Sequence, residues 1–403
     1  MCPPDRRIAR HLALAPPVHY GWFMNVQRAF VASVFAFSLA CSGGSSNPDG
    51  GGNPEGGSTT DGGDGGASAC NAPGMATILQ SPFTGFSPSL AEQDVYWVDP
   101  DQGPTWSGQI KTGVIRHMKT DGTGDSVVYT PTSRPIYSAQ VAGADIIFFQ
   151  LDPDMGSGPP VHMYKVSRSG GAATQVGTYD WTAVNLVTTI DTPSSPYKIG
   201  IFARSGDNLF MNEGKVISRV ALASGARTVI ADAGSALLII NPALHGNTIH
   251  YLAQESSKPA PYKVAADATS PSQMRVGTQT CDMGFLGWNG AAKDDGAWIC
   301  GALWGLDAID ATGATRTRFY DTKPVDSIYF PSPIDGTTFY AFGNSPGSKD
   351  PIRPLLKMDT RTPNVATPVL CDIQVVWNVR MSATDLVWEE QRGSVRSLRR
   401  LAR

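Results

Sequence analysis

Residues 94–99 read Asp-Val-Tyr-Trp-Val-Asp, with four consecutive apolar or aromatic side chains between two aspartates. A second strand segment, 115–118 (Ile-Arg-His-Met), leads through the turn 121–124 (Asp-Gly-Thr-Gly) into a third segment at 127–129 (Val-Val-Tyr). Short apolar runs separated by Gly- and Asp-rich turns are typical of β-strands. Because the first run is apolar at every interior position, we expect its strand to be buried on both faces.

Copies of this unit recur along the chain at spacings of roughly 40 to 60 residues, the range of propeller blades. A propeller blade packs between two neighbours, which explains strands that are apolar on both faces. The pattern predicts an all-β chain folded as a β-propeller, most simply with seven blades and with six or eight as alternatives. The seven copies begin at Asp94, Asp145, Asn208, Asn247, Gly296, Gly336 and Asp385.

The two ends of the repeat region complement each other. The last copy, 385–403, has room for only about two strands, whereas 76–80 (Ala-Thr-Ile-Leu-Gln) is a strand without a blade. We therefore predict that an N-terminal strand completes the last blade, which closes the ring and removes its free edges. The arginines of the last segment predict a solvated strand edge. They are Arg392, Arg396, Arg399, Arg400 and Arg403.

The repeats resemble those of TolB-like and YWTD-like propellers. Residues 96–99 (Tyr-Trp-Val-Asp) stand where the latter carry their namesake motif, and the resemblance covers most of 76–403. It implies the fold and leaves the function open, since one fold hosts many functions.

The N-terminus carries an export signal. Residues 29–40 form an apolar run behind Arg28 that has signal-peptide length and is too short for an ordinary membrane-spanning helix. We assign 1–40 to the signal peptide, with Met24 as an alternative start. The end of the run resembles the lipobox of bacterial lipoproteins, although Ser38 occupies the place where that family favours Leu. The resemblance implies a lipid on Cys41; ordinary cleavage after Ala40 is the alternative.

Residues 41–70 follow as the anchor cysteine and a tether of Gly, Ser, Asp and other small or polar residues. Such a segment cannot bury enough apolar surface to offset its ordering entropy, so we expect it to be disordered. Ser42 lacks the acidic character of an inner-membrane retention residue, so the resemblance points to the outer membrane, with the periplasm or cell surface as alternatives. The propeller domain is then 71–403.

The folded body is acidic. The whole chain carries a formal net charge of −3, and 1–40 carry +3, which leaves −6 for the remainder. This balance excludes a nucleic-acid partner.

Four cysteines remain in the predicted propeller and its border, an even number in an oxidising compartment. Three pairings are possible. We favour a disulfide between Cys281 and Cys300, which would leave Cys70 and Cys371 to pin the chain start near the ring closure. A metal site is the alternative, but no Cys-x-x-Cys spacing or nearby His supports it.

A loop that occurs twice is the first candidate site. Asp99 and Asp101 follow the first copy's strand, and Asp152 and Asp154 follow the equivalent strand of the second. Paired carboxylates beside turn carbonyls could hold calcium, while an ordinary Asp-Pro turn is the alternative. Trp106 lies in the first loop and could stack on a ligand.

The histidines and the known catalytic motifs give little support for an enzyme. His245 and His250 share one turn and strand and could meet, although a structural role is the simpler interpretation. No Gly-x-Ser-x-Gly elbow or phosphate loop is present.

We therefore predict a monomeric, non-catalytic binding or scaffolding module of the cell envelope, touching the membrane through its lipid only and binding an envelope protein or a glycan. The alternative is a propeller-type hydrolase or lyase with a metal or carboxylate site at the ring mouth.

Overall fold

A computed structural model describes most of the chain from residue 76 onward. The described ranges are 76–107, 110–150, 160–179, 200–234, 239–255, 258–281, 290–293, 295–302, 305–321, 328–329, 336–343, 353–373 and 375–403. Within them every regular element is a β-strand. No helix in these ranges is long and apolar enough to cross a membrane. Cys41, Cys70, Asp152 and Asp154 lie outside the described residues.

The first strand belongs to the last blade, and the first three blades follow it along the chain. Their bounds are β1 Thr77–Gln80, β2 Phe86–Ala91, β3 Asp94–Asp99, β4 Thr105–Ser107, β5 Ile110–Lys111, β6 Val114–Lys119, β7 Ser126–Tyr129, β8 Ile136–Ala142, β9 Asp145–Gln150, β10 Val161–Ser167, β11 Thr174–Tyr179, β12 Gly200–Ser205, β13 Asn208–Asn212, β14 Val216–Ala221 and β15 Arg227–Asp232. Blade 1 is β2-β3-β6-β7, with β4 and β5 forming a separate hairpin, and blades 2 and 3 are β8 to β11 and β12 to β15.

The remaining four blades occupy the C-terminal half. Their strands are β16 Ile239–His245, β17 Thr248–Glu255, β18 Lys258–Ala265, β19 Met274–Arg275, β20 Gly290–Ala292, β21 Trp298–Ala302, β22 Gly305–Ile309, β23 Arg316–Asp321, β24 Ile328–Tyr329, β25 Thr338–Gly343, β26 Arg353–Asp359, β27 Ala366–Ile373, β28 Val375–Met381, β29 Asp385–Arg392 and β30 Val395–Ala402. Blades 4, 5 and 6 take four consecutive strands each, and blade 7 is β28-β29-β30-β1.

These sheets form a seven-bladed propeller, as the sequence predicts. The first strands of neighbouring blades touch one another, for example β2 with β8 and β12 with β16, so they form the inner ring. Contact between β2 and β28 joins the first blade to the last. Each of the seven predicted repeat copies corresponds to the second strand of a blade. In β3 and β9 every residue after the first is buried, which confirms burial on both faces.

The core consists of seven apolar clusters, one between each pair of neighbouring blades, in the part of the chain that is described. Large aromatic side chains fill them: Trp97, Trp298 and Trp388 are all at most 1% exposed. Full burial of a large apolar side chain contributes about 1.5 to 3 kcal/mol. Because each blade shares two clusters, the ring is stabilised only when all of its blades are in place.

The N-terminal strand closes the ring, which confirms the prediction. It pairs antiparallel with β30, where Thr77 faces Arg400 and Ile78 faces Arg399. The backbone N–H of Phe83 then donates to the Arg396 carbonyl at 2.7 Å. Strand β1 thus forms the outer edge of blade 7.

The arginines of β30 differ from the expected solvated edge. Three carboxylates of β29, those of Asp385, Glu389 and Glu390, are at most 1% exposed and pair with arginines of the same blade. A buried carboxylate needs such a partner because an unpaired charge is costly away from water. The arginines therefore neutralise buried acids at the closure rather than forming a solvated surface.

The strand order defines two faces of the ring. We call the face that carries the turn between the first and second strand of each blade the short-turn face. It includes the two-residue turns 92–93, 143–144, 206–207 and 246–247. The loops between second and third strands, including 100–113, lie on the opposite face.

Candidate functional site

A repeated polar junction ties neighbouring blades together at the short-turn face. Asp94 begins the second strand of blade 1, and its carboxylate lies 2.8 Å from the Arg168 guanidinium of blade 2. Asp145 holds the same place in blade 2 and lies 2.9 Å from the Arg204 guanidinium of blade 3. Such pairs hold the blades in register, and we regard them as structural.

Blade 4 has no aspartate at this place. The β16–β17 register pairs His245 with Thr248, just as Ala142 pairs with Asp145 in blade 2, so Thr248 stands where blades 1 and 2 have their aspartates. Blade 3 likewise has Asn208 there, so the aspartate is a feature of some blades rather than of all.

An open cleft of about 560 Å³ occupies this place between blades 4 and 5. The rings of His245 and His250 lie in it with their centroids 5.7 Å apart. The expectation that these two histidines could meet is therefore met by the structure. The complete lining is Leu244, His245, Gly246, Thr248, His250, Asp295 and Gly296.

Local geometry explains why both imidazoles reach the cleft. A two-residue turn at 246–247 joins β16 to β17, and Gly246 takes φ +59° there. In the resulting register His250 pairs with Ala243, two residues before His245, so both histidines project from the same face of the sheet. Gly296 completes the wall from blade 5, where a Cβ atom would lie only 3.2 Å from the His250 ring.

His250 is neutral at neutral pH. Burial, followed by electrostatic repulsion from His245 and Lys263, lowers the pKa of His250 to about 4. Its Nδ1 atom is buried and has no hydrogen-bond partner among the described residues. The imidazole of His250 also packs near the Trp298 indole, at 5.6 Å between ring centroids. A neutral imidazole with an unused nitrogen can bind or accept a proton from a small ligand.

Asp295 supplies a carboxylate at the rim of the cleft. Burial raises the pKa of Asp295, but hydrogen bonds from the Ala297 N–H and from Lys293 outweigh it, so the pKa is lowered overall. Both donors lie 3.0 Å from a carboxylate oxygen. The group is therefore ionised and held in place, while its side chain remains mostly open to solvent.

The predicted Asp-Pro-Asp site is described only in its first half. Asp99 ends β3 on the face opposite the cleft, and its carboxylate accepts a 3.2 Å hydrogen bond from the Asp101 backbone N–H. Arg116 lies 3.9 Å from the other carboxylate oxygen. These contacts belong to a turn, and calcium binding by the loop stays a prediction. The backbone of Trp106 lies in β4.

One predicted disulfide is present. Cys281 and Cys300 are bonded, with Cα atoms 5.5 Å apart, and they fasten the segment between blades 4 and 5 to the second strand of blade 5. The pairing of Cys70 with Cys371 cannot be placed because Cys70 lies outside the described residues. In those residues no group of three or more His, Cys, Asp or Glu side chains is arranged to hold a metal ion.

Comparison with known proteins supports the fold. No protein-family model matches the chain, and no curated protein matches it in sequence. The propeller domain of the Trilobed protease from Pyrococcus furiosus matches with a TM-score of 0.52 and 8% identity, over 78% of this chain and 93% of that domain. A prolyl endopeptidase matches with a TM-score of 0.52 and 10% identity, over 80% of this chain and 50% of its own. Puromycin hydrolase matches with a TM-score of 0.49 and 11% identity, over 78% of this chain and 51% of its own.

These neighbours correct the predicted function. The prediction of a non-catalytic binding or scaffolding module is wrong, because the two propellers matched at a TM-score of 0.52 come from a protease and a prolyl endopeptidase, and the alternative of a propeller-type hydrolase agrees better with them. At these identities the likeness itself shows only the fold. The chain spans about half the length of the prolyl endopeptidase and of puromycin hydrolase, so the activity of this chain is a matter for proposal.

Proposed function

We propose that this chain is a propeller-type hydrolase and that the cleft between blades 4 and 5 is its active site. The observation that carries the proposal is that His250, whose Nδ1 is buried and unpartnered among the described residues, lines an open cleft beside a second imidazole. Hydrolysis needs a group that activates water, and histidine is the side chain most often used for this.

The other cleft groups fit the same reaction. The ionised Asp295 can orient a water molecule or a substrate hydroxyl through its exposed carboxylate. Thr248 adds a hydroxyl to the lining, and Leu244 adds an apolar wall.

A substrate panel tests the proposal. Chromogenic esters, lactones and peptide amides would be incubated with the wild-type chain and with the variants His250→Gln and His162→Gln. His162 is the matched control, since it lies on blade 2 and its Nδ1 is 2.9 Å from the Thr178 hydroxyl. We expect at least one substrate class to be hydrolysed by the wild type and by His162→Gln, with a loss of 100-fold or more in His250→Gln. Equal rates in all three proteins would reject the cleft as the active site.

We further propose that the enzyme is exported and anchored by a lipid on Cys41. The support is the apolar run 29–40 and the lipobox-like end of that run. Metabolic labelling with a radioactive fatty acid, in the wild type and in Cys41→Ser, tests it. Label in the wild type alone is the expected result, and label in neither protein would indicate ordinary cleavage.

A further inference from the structure

We infer that His245 and His250 form a binding site for a borderline divalent metal ion such as Zn²⁺. The inference deepens the proposed function, since it names the agent that would activate water in the same cleft. Metal binding can nevertheless be measured without any substrate.

The distance between the two rings fits a shared ion. A zinc–nitrogen bond is about 2.0 to 2.1 Å, which places each ring centroid roughly 3.2 Å from the metal. Two imidazoles on one ion therefore have centroids at most about 6.4 Å apart. The observed separation is 5.7 Å, with the ring planes inclined at 60°. The observed separation therefore lies within the range that two imidazoles on one ion allow.

The positions of the two residues favour a preformed site. His245 ends β16 and His250 lies within β17, so two hydrogen-bonded strands of one blade fix both backbones. The buried Nδ1 of His250 has no protein partner in the described part of the chain, which is otherwise a cost to the fold. A metal ion would satisfy that nitrogen.

The composition of the cleft selects the kind of ion. Imidazole nitrogen suits zinc, copper, nickel and iron, whereas calcium and magnesium prefer sets of oxygen ligands. Since no third ligand completes a cluster among the described residues, water or substrate would fill the remaining positions. Catalytic zinc sites likewise keep an open position for water or substrate, usually beside three protein ligands. Asp295 lines the same cleft and could accept a hydrogen bond from a metal-bound water.

Isothermal titration calorimetry of the full chain with Zn²⁺ tests the inference. The protein would first be stripped with a chelator, and Ca²⁺ would be titrated in parallel. We expect Zn²⁺ binding that weakens at least tenfold in His245→Gln and in His250→Gln and is unchanged in His162→Gln. All three variants keep every cysteine, so zinc bound by thiols contributes equally to each titration. Equal zinc binding in the wild type and in His250→Gln, or preferential binding of Ca²⁺, would overturn the inference.

A second measurement separates this inference from the proposed function. Hydrolysis by the wild type would be assayed after chelation and again after zinc is restored. Loss and recovery of activity are expected. If activity survives complete chelation but is lost in His250→Gln, the metal inference fails while the hydrolase proposal stands. If zinc binds through both histidines but no substrate is turned over, the site holds a metal and the hydrolase proposal fails.

Discussion

The imidazole of His250 on blade 4 lies 5.6 Å, between ring centroids, from the indole of Trp298 on blade 5. This contact joins blades 4 and 5 beside the cleft. The imidazole is therefore packed against blade 5 while His250 also lines the cleft. The fold therefore holds a titratable group partly out of water, and both stability and chemistry should depend on it.

The first prediction concerns pH in the metal-free protein. The folded-state pKa of His250 is lowered to about 4, below the usual value of 6.5, so the unfolded chain takes up a proton more readily. We expect the wild type to lose stability relative to His250→Gln as the pH falls from about 6.5 to 4. After allowance for solvent screening, the loss should be on the order of 1 kcal/mol. Urea unfolding at pH 7 and pH 4.5 with chelator measures it. If the stability of both proteins changed equally with pH, the assigned burial of His250 would be contradicted.

A second prediction concerns the close packing of the third-to-fourth-strand turns against the preceding blade. Gly225 in such a turn of blade 3 takes φ +70°, and a Cβ there would lie 2.1 Å from the Val176 carbonyl oxygen of blade 2. Gly206 has a similar φ of +58° but nothing within 4 Å of its Cβ position. Gly225→Ala should therefore destabilise the protein by about 2 kcal/mol more than Gly206→Ala. Chemical denaturation compares them, and equal losses would mean that only backbone conformation matters.

The third prediction concerns ring closure. Asp385 is fully buried and is held by Arg400 of β30 and by the Thr120 hydroxyl of blade 1, which donates at 3.2 Å. Arg400→Met leaves that carboxylate without its cation and should cost about 2 to 4 kcal/mol. Arg361→Met removes an exposed pair with Asp359 and should have no measurable effect. Thermal unfolding of both variants would check this. A similarly small change in melting temperature in both variants would show that ring closure does not depend on the Arg400–Asp385 ion pair.

The fourth prediction concerns the disulfide. Cys281 and Cys300 are 19 residues apart, a loop whose closure should contribute about 3 kcal/mol. The double variant Cys281→Ala, Cys300→Ala should unfold at a correspondingly lower urea concentration. A reducing agent should destabilise the wild type but leave that variant unchanged. Destabilisation of both proteins by the reductant would place the important disulfide elsewhere.

The sequence predicts the fold well because a propeller is a repeat of local units. Each second strand is apolar throughout, and Asp94, Asp145 and Asp385 mark where three of them begin. The closing strand can also be predicted from the sequence, since residues 76–80 form a strand that belongs to none of the repeat copies. The pairing of Cys281 with Cys300 follows from their nearness along the chain. All of these features follow from patterns that are local in the sequence or from the number of strands in each repeat copy.

The candidate site is harder to predict because it joins side chains of different blades. His245 and His250 are neighbours in sequence, and their meeting can be anticipated. The importance of Asp295, Gly296 and Trp298 depends on how blade 5 packs against blade 4, which no local pattern encodes. The arginines of β30 mislead for the same reason, because Glu389 and Glu390 bury their carboxylates only once the ring is closed.

The most direct test of the account is the ratio of kcat/KM between the wild type and His250→Gln on the best substrate of the panel, with His162→Gln measured beside them. If the cleft is the active site, His250→Gln loses 100-fold or more while His162→Gln keeps the wild-type value. Circular dichroism would confirm that both variants fold. A folded His250→Gln protein with wild-type kcat/KM would contradict the account and return the search to the opposite face of the ring.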